Sequence, residues 1–305
     1  MIIKNPIETF HRLRWGETIA CPRCGSIHIY HPGPGELHIC ADCDNRFSDT
    51  SNTIFHSTKL PLHKWLEAIY LFVSLSRGIS SYNLARSIGV SQPTAWRMLK
   101  LIREHLDITF NETSIACVDE IYLGADWSKK PAKAKFKKVP PPKPVWNLKG
   151  KDLKDYYKGA MMAAASQDKI PILGICDYNS RKVRLQAFPH GLTSNSVKSH
   201  LCENYPLVTH YITDQSRLYN WMGDMGLHRS ICDHYNRVYI SKDGFSSNRI
   251  EGVFAHLKRM YRGTYQFISK KYVQLYLNEF AWRWNSWDSK PMERFEEVLC
   301  LMLSR

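Results

Sequence analysis

Four cysteines near the start of the chain constrain its fold more tightly than any other feature. They stand as Cys21-Pro-Arg-Cys24 and Cys40-Ala-Asp-Cys43, two C-x2-C pairs separated by fifteen residues. This spacing belongs to structural zinc sites, because a two-residue gap lets both thiolates of a knuckle face one tetrahedral ion. Gly25 supplies the tight turn after the first pair. Between the pairs, Ile29, Tyr30, Leu37 and Ile39 flank a Pro-Gly-Pro-Gly turn, as in a ribbon hairpin. So small a segment buries too little apolar surface to fold unaided, and the metal holds it together. His28, His31 and His38 lie nearby, but four thiolates already close the site, so the histidines read as bystanders.

Disulfides are not expected. The first ten residues, Met1 to Phe10, carry one lysine and no apolar core of a secretory signal. The longest clean apolar run, Ala68 to Leu75, is preceded by Glu67, interrupted by Ser74, and far too short to span a bilayer. A cytoplasmic protein keeps its thiols reduced. Its charge is lopsided, with 42 Lys plus Arg against 28 Asp plus Glu, a net +14. A chain that basic meets a polyanion, and nucleic acid is the default partner.

Past the cysteines, Leu62, Trp65, Leu66, Ile69, Tyr70 and Phe72/Val73 recur at helical intervals. The stretch Gly78 to Ile102 then fits a helix-turn-helix. Ala85 is small where the helices cross, Gly89 permits the turn, and Ser91-Gln92-Pro93 reads as an N-cap with proline in the first turn. The second helix would offer Gln92, Thr94, Arg97 and Lys100 to DNA. An ordinary helical hairpin satisfies the same pattern.

Ser114 to Leu123 reads as a buried strand. Trp127 to Lys158 holds eleven lysines and five prolines, an extended arm that serves either as a phosphate-backbone contact or as a solvated linker. Strands are expected over Gly159–Ala165, Ile170–Cys176, Lys182–Phe188, Val208–Thr213 and near Arg237–Ile240, with helices over Thr193–Asn204 and Ser216–Met225. The clearest helix begins near Asn248, its buried stripe being Ile250, Val253, Phe254, Leu257, Met260 and Tyr261. Tyr272 to Trp284 reads as an aromatic-rich core helix.

Phosphoryl transfer with two divalent ions needs carboxylates converging from separate elements. Three acids have suitable settings: Asp119 closing the apolar run IACV, Asp214 ending HYIT, and Glu251 in the first turn of the amphipathic helix, off its apolar stripe. Glu251, Ala255, Lys258 and Arg262 fall along one helix face, suiting a metal beside a DNA phosphate. On spacing alone Glu120, Asp126, Asp177, Asp233 and Asp243 compete with them.

Over nearly its whole length the chain resembles bacterial insertion-sequence transposases that join an N-terminal zinc ribbon to an Asp/Asp/Glu core. The residues carrying the resemblance are the run Cys21 to Glu104, VDEIYLG (Val118 to Gly124), ITDQ (Ile212 to Gln215), SSNRIEGVFAHLKRMYRGTYQFIS (Ser246 to Ser269) and NEFAWRWN (Asn278 to Asn285). The resemblance implies a ribonuclease H-like core in which Asp119, Asp214 and Glu251 hold two Mg2+ or Mn2+ ions. It matches Asn248-Arg249-Ile250-Glu251 to the third motif, with Lys258-Arg259 downstream. Asn248, Lys258, Arg259 and Arg262 become DNA contacts. Three departures stand out: Ser246 where the family usually has His, Gly124-Ala125-Asp126 where Gly-Gly-Lys is common, and the longer basic arm.

The expected architecture is multidomain α/β. A four-cysteine zinc ribbon covers residues 1–56 and a helix-turn-helix domain 57–110. A ribonuclease H-like catalytic domain with a mixed sheet flanked by helices covers 111–290, with the arm at 127–158, and a C-terminal helix covers 291–305. The expected reaction is metal-dependent cleavage of transposon-end DNA and transfer of the freed 3′-hydroxyl into target DNA. One structural zinc serves the ribbon. Double-stranded DNA and further copies of the chain, assembled on it at the bacterial nucleoid, are the expected partners. A DNA-binding regulator without catalysis and a nuclease that cuts without joining are the rivals.

Overall fold

The computed structural model describes residues 5–108, 110, 113–124, 169–233 and 240–303. The Lys/Pro-rich arm, Asp126, the strand expected over Gly159–Ala165 and all but Ile240 of the one near Arg237–Ile240 lie outside the described residues. The chain forms two compact units, Met1–Thr109 with Asn278–Arg305, and Phe110–Leu277. The second break falls inside a helix, upstream of the boundary expected at 290.

The first unit opens with α1 (Pro6–Trp15), whose proline takes the first helical turn, where its missing N–H is no loss. Next come three short strands, β1 (Ile29–Tyr30), β2 (His38–Cys40) and β3 (Arg46–Phe47), in an antiparallel sheet of that order. The β1–β2 register, Ile29 opposite Cys40 and Tyr30 opposite Ile39, is the expected ribbon hairpin. Helix α2 (Leu62–Ser74) buries Trp65, Leu66, Ile69, Phe72 and Val73, the stripe its periodicity announces.

Helices α3 (Ser81–Ile88) and α4 (Gln92–Glu104) form the helix-turn-helix. The Ser80 side chain caps α3 by accepting from the N–H of Asn83, and Ser91 caps α4 by accepting from Thr94. Gly89 adopts φ 65°, ψ 50°, and its N–H donates to the Ala85 carbonyl, so the left-handed residue that ends α3 makes the turn. Leu84, Ala85, Ile88, Ala95, Met98, Leu99 and Ile102 are buried.

The unit closes with the C-terminal part of α8 (Val273–Asn285) and with α9 (Pro291–Leu303). The aromatic helix supplies core, as expected, in Phe280 and Trp282, but it also buries a charge network. Glu279 is 0% exposed and receives Arg103 Nε at 2.7 Å and Arg283 Nη2 at 2.8 Å. Arg283 also donates to the carbonyls of Phe72 (2.6 Å) and Leu75 (2.8 Å), which the end of α2 leaves without intrahelical donors.

The second unit is built on a five-stranded sheet of order β6-β5-β4-β7-β8. Its strands are β4 (Ile115–Leu123), β5 (Ile170–Asp177), β6 (Val183–Ala187), β7 (His210–Thr213) and β8 (His228–Ile231). The first three in chain order run antiparallel, and β7 and β8 join parallel beyond β4. This mixed order is the ribonuclease H-like arrangement. One face packs against α5 (Ser194–Asn204), with Ala116, Val118, Leu173 and Ile175 of the sheet meeting Val197 and Leu201. The opposite face receives α7 (Asn248–Met260), which buries Ile250, Val253, Phe254, Leu257 and Met260. The Asp177 side chain sets the β5–β6 turn, accepting from the N–H groups of Asn179 and Ser180. Gln274, at the start of α8, bonds the backbone of β6 through Leu185 and Ala187 and so covers that edge.

One local expectation is corrected. Ser216–Met225 is not one helix but a 3-10 turn (Arg217–Tyr219) followed by the short α6 (Trp221–Asp224). A strand the sequence did not announce, β8, follows over His228–Ile231, and Ile240 makes an isolated bridge to Ser246. Ser247 is the N-cap of α7 but forms no side-chain cap; its hydroxyl instead donates to Glu251.

Candidate functional site

Asp119 is not at a strand end, as the run IACV implies, but in the middle of β4. The strand end beside it belongs to β7. Cys117 pairs in parallel with Ile212, so two residues further on Asp119 and Asp214 fall level where β7 has stopped and β4 runs on. Their carboxylates lie with that of Glu120 in a group whose ligand atoms are all within 4.8 Å of one another.

Across β4, Asp119 is the register partner of Gly174. A Cβ at Gly174 would stand 2.7 Å from Phe254 Cε1 and 3.0 Å from Ile250 Cδ1, so α7 lies against the strand where no side chain intervenes. That approach brings Glu251 close enough for its charge to act on Asp119, although it stands outside the group of three. Burial pushes the Asp119 carboxyl up to about 7; the charges of Glu120, Asp214 and Glu251 add to the rise, and the N–H of Glu120 opposes it. Burial likewise raises Glu120, against the pull of the Tyr219 hydroxyl. Among the described residues no Lys or Arg pairs with Asp119, Glu120 or Asp214. Arg229 is the cation whose charge meets that of Asp214, without a salt bridge to it. Three clustered acids with no salt-bridged partner form a donor set suited to small divalent ions, which take carboxylate oxygens.

Arg229, on the unforeseen strand β8, holds the turn that carries Asp214. It donates to the Thr213 hydroxyl at 2.8 Å and to the carbonyls of Asp214 (2.8 Å) and Ser216 (3.0 Å). Its guanidinium also lies over the Tyr219 ring, 5.6 Å from the centroid. Of the competing acids among the described residues, only Glu120 joins the cluster. Asp177 serves its turn, Asp243 accepts from the Ser230 hydroxyl at 2.7 Å, and Asp126 lies outside the described residues.

On α7, Asn248, Lys258 and Arg259 are exposed, and Lys258 sits two turns beyond Glu251 on an unbroken α-helix. Arg262 is exposed too, but lies in a π-helical turn, Tyr261–Tyr265, so the spacing that aligns Glu251 with Lys258 does not reach it.

The four cysteines converge in the first unit, with Cys21 and Cys43 sulfurs 3.7 Å apart and Cys24 and Cys40 3.6 Å apart. A tetrahedral ion with Zn–S bonds of about 2.3 Å needs sulfurs about 3.8 Å apart, so the set fits. Burial works to raise the Cys21 thiol, yet the N–H groups of Arg23 and Cys24, with Cys43 and Asn45, bring it down to about 6. None of the nearby histidines joins the thiolates, but His38 is far from idle. It is fully buried, and its Nε2 meets Asp49 Oδ1 at 2.9 Å, the oxygen that also meets His11 Nδ1 (2.9 Å) and Trp15 Nε1 (2.8 Å). Asp49 thereby ties α1 to the ribbon.

Of the residues proposed to read DNA from α4, three are engaged at home. Gln92 donates to the Ser81 hydroxyl, Thr94 bonds Ser91, and Lys100 pairs with Glu104 at 2.8 Å. Arg97 is exposed.

A sheet of this order, with acids gathered where its central strand outruns a parallel neighbour, defines a ribonuclease H-like domain bearing a carboxylate cluster. Within it and slightly beyond, residues 147–285 match the family model of the ISXO2-like transposase domain. The match takes in Asp214 and Glu251 and begins after Asp119. The chain is also similar to an uncharacterized protein in the transposable element ISH50 of Halobacterium salinarum, 29% identical over 115 residues, covering 33% of this chain and 38% of that protein. The aligned part is thus well under half of that relative's length. A chain in the cryo-EM structure of the simian T-cell lymphotropic virus intasome in complex with PP2A regulatory subunit B56 gamma overlaps 69% of this chain and 66% of its own, at 13% identity. Its TM-score of 0.30 is too low to establish a shared fold. No helix among the described residues is long and apolar enough to cross a membrane.

Proposed function

We propose that the chain is a DDE-type transposase that cuts double-stranded DNA at the ends of its element and joins the freed 3′-hydroxyl to target DNA. What supports this most is the combination of the transposase-domain match over residues 147–285 with the carboxylates gathered on β4 and after β7. Asp119 and Asp214 hold Mg2+ or Mn2+, and Glu251 completes the set from α7. Two such ions, when bound, polarise the scissile phosphate and stabilise both the attacking and the leaving oxygen. The chain itself orients these acids through β4, Gly174 and Arg229, and it leaves them half-buried, where their charges act more strongly than in open water. Asn248 and Lys258 position the DNA strand, with Arg259 and Arg262 on its phosphates. The ribbon holds one structural zinc through Cys21, Cys24, Cys40 and Cys43. The helix-turn-helix reads the element's end, and Arg97 is its most available side chain. Joining two ends requires copies of the chain to assemble on DNA.

The test is product analysis on a labelled end duplex with Mg2+ and a target duplex. A joined product is expected. A cut without joining would make the protein a nuclease, and binding without cutting would make it a regulator.

A further inference from the structure

We propose that Glu120 is a fourth carboxylate of the divalent-ion site, aimed into it by the hydroxyl of Tyr219. The inference rests on the transposase reading of the cluster and adds a residue to it.

Strand alternation alone would keep Glu120 out. Neighbouring residues of β4 point to opposite faces. Asp119 shares the α7 face with Gly174, whereas Glu120 follows Ala116 and Val118 onto the face that packs against α5. Yet its carboxylate lies within 4.8 Å of ligand atoms on both Asp119 and Asp214. The end of β7 at Thr213 opens the space beside β4 that lets the side chain reach there. Tyr219 then fixes its direction, donating from its hydroxyl to Glu120 Oε2 at 2.6 Å. Tyr219 is itself 0% exposed, packed in the α5-side core, with Arg229 over its ring. The residue that holds the Asp214 turn thus also supports the residue that aims Glu120.

A hydrogen bond to Tyr219 does not by itself call for an acid, since a glutamine amide oxygen would accept it equally well. A carboxylate adds only charge, and that charge is set beside two other acids, with Arg229 near Asp214 as one cation against three carboxylates and in no salt bridge to them. Such a placement is unfavourable unless cations neutralise it, because like charges in a partly buried site repel strongly. Small divalent ions gather oxygen ligands at this spread, and Glu120 supplies them from the sheet face opposite Asp119 and Glu251.

The test is Mn2+ binding by the full-length protein, counted from the electron paramagnetic resonance of free Mn2+, beside end cleavage as a function of Mn2+ concentration. Glu120→Gln keeps the acceptor for Tyr219 and removes the charge. It is expected to weaken Mn2+ binding by roughly 10- to 100-fold, with cleavage recovering as Mn2+ is raised. Tyr219→Phe keeps the acid but frees it, and is expected to weaken binding less. Parental Mn2+ affinity in Glu120→Gln, beside loss in Asp119→Asn, would leave the site standing and overturn the role of Glu120. Undiminished binding in Asp119→Asn, or none in the parent, would overturn the metal site itself and this inference with it. Should Glu120→Gln fail to fold, Tyr219→Phe decides: weakened binding supports the proposal, and parental affinity overturns it.

Discussion

Asp119 and Gly174 stand opposite each other in the β4–β5 pair, and the missing side chain at Gly174 is what lets α7 lie against the strand that carries the acid. A side chain at 174 meets the edge of the Phe254 ring, a rigid group in a packed interface. Gly174→Val should therefore destabilise the protein by about 1–3 kcal/mol, the usual range for overpacking. It should also move Glu251 away from Asp119, cutting cleavage while end binding persists. Urea denaturation and end cleavage check both effects. Adding Phe254→Ala should restore part of the cleavage, and no recovery would mean that the strand, not the helix, had been disturbed.

The acids themselves give the next expectation. Asp119→Asn, Asp214→Asn and Glu251→Gln keep shape and remove charge. Each should lower cleavage and joining on the order of 10²-fold or more at matched end occupancy. Near-parental cleavage by the Glu251 variant would remove that residue from the site. Glu120 would then be the acid to examine next, since Asp243 is tied to Ser230.

The parts that were legible in the sequence are those in which one local rule decides. Two-residue gaps between cysteines announce the ribbon. A 3.6-residue stripe announces α7, and Ser91-Gln92-Pro93 announces the start of α4. What escaped depends on partners distant in the chain. Strand β8 reads His-Arg-Ser-Ile, without apolar alternation, because it is a short strand at the sheet's edge and only Ser230 is buried. Its Arg229 holds the Asp214 turn, a role that no spacing could reveal. Glu120 sits on the wrong face by alternation and reaches the site only because β7 ends early. His38 looks surplus to a closed four-thiolate site, and its partner Asp49 has no motif around it. Glu279 and Arg283 sit in an apolar aromatic helix, four residues apart, and nothing in that pattern announces their distant partner Arg103.

That pair supports a stability prediction. Glu279 balances Arg103 and Arg283 in the interior, so removing it takes a shared carboxylate away from two buried guanidinium groups. Glu279→Ala should cost about 3–5 kcal/mol, as breaking buried pairs generally does. Thermal unfolding would show it, and a loss below about 1 kcal/mol would mean that water reaches the guanidinium groups.

Metal analysis should find about one zinc per chain, lost on Cys40→Ser together with the fold of the ribbon. Zinc surviving at full stoichiometry in that variant would count against the four-cysteine set. Removing zinc should abolish end binding before it affects the carboxylate site, because the ribbon belongs to the first unit and the acids to the second.

The last prediction concerns pH. Burial pushes the folded Asp119 carboxyl up to about 7, against 3.8 for a free aspartate. A raised carboxyl pKa means that the folded state binds the proton more tightly than the unfolded one. Its contribution to stability is therefore fully present below the unfolded pKa and is lost as pH rises through the folded pKa. Without divalent ions, the parent should lose stability between about pH 4 and pH 7 relative to Asp119→Asn, which has no charge to bury. The two melting curves should lie closest at the acid end and diverge toward pH 8, with the variant the more stable. Adding Mg2+ or Mn2+ should reverse the order at pH 8, since an ion favours the ionised carboxylate and replaces the proton as its partner. The rise in Tm on adding metal should accordingly be larger at pH 8 than at pH 6 for the parent, and small at both for Asp119→Asn. Parallel curves for parent and variant across the whole range, with and without metal, would show that Asp119 is neither desolvated nor a ligand.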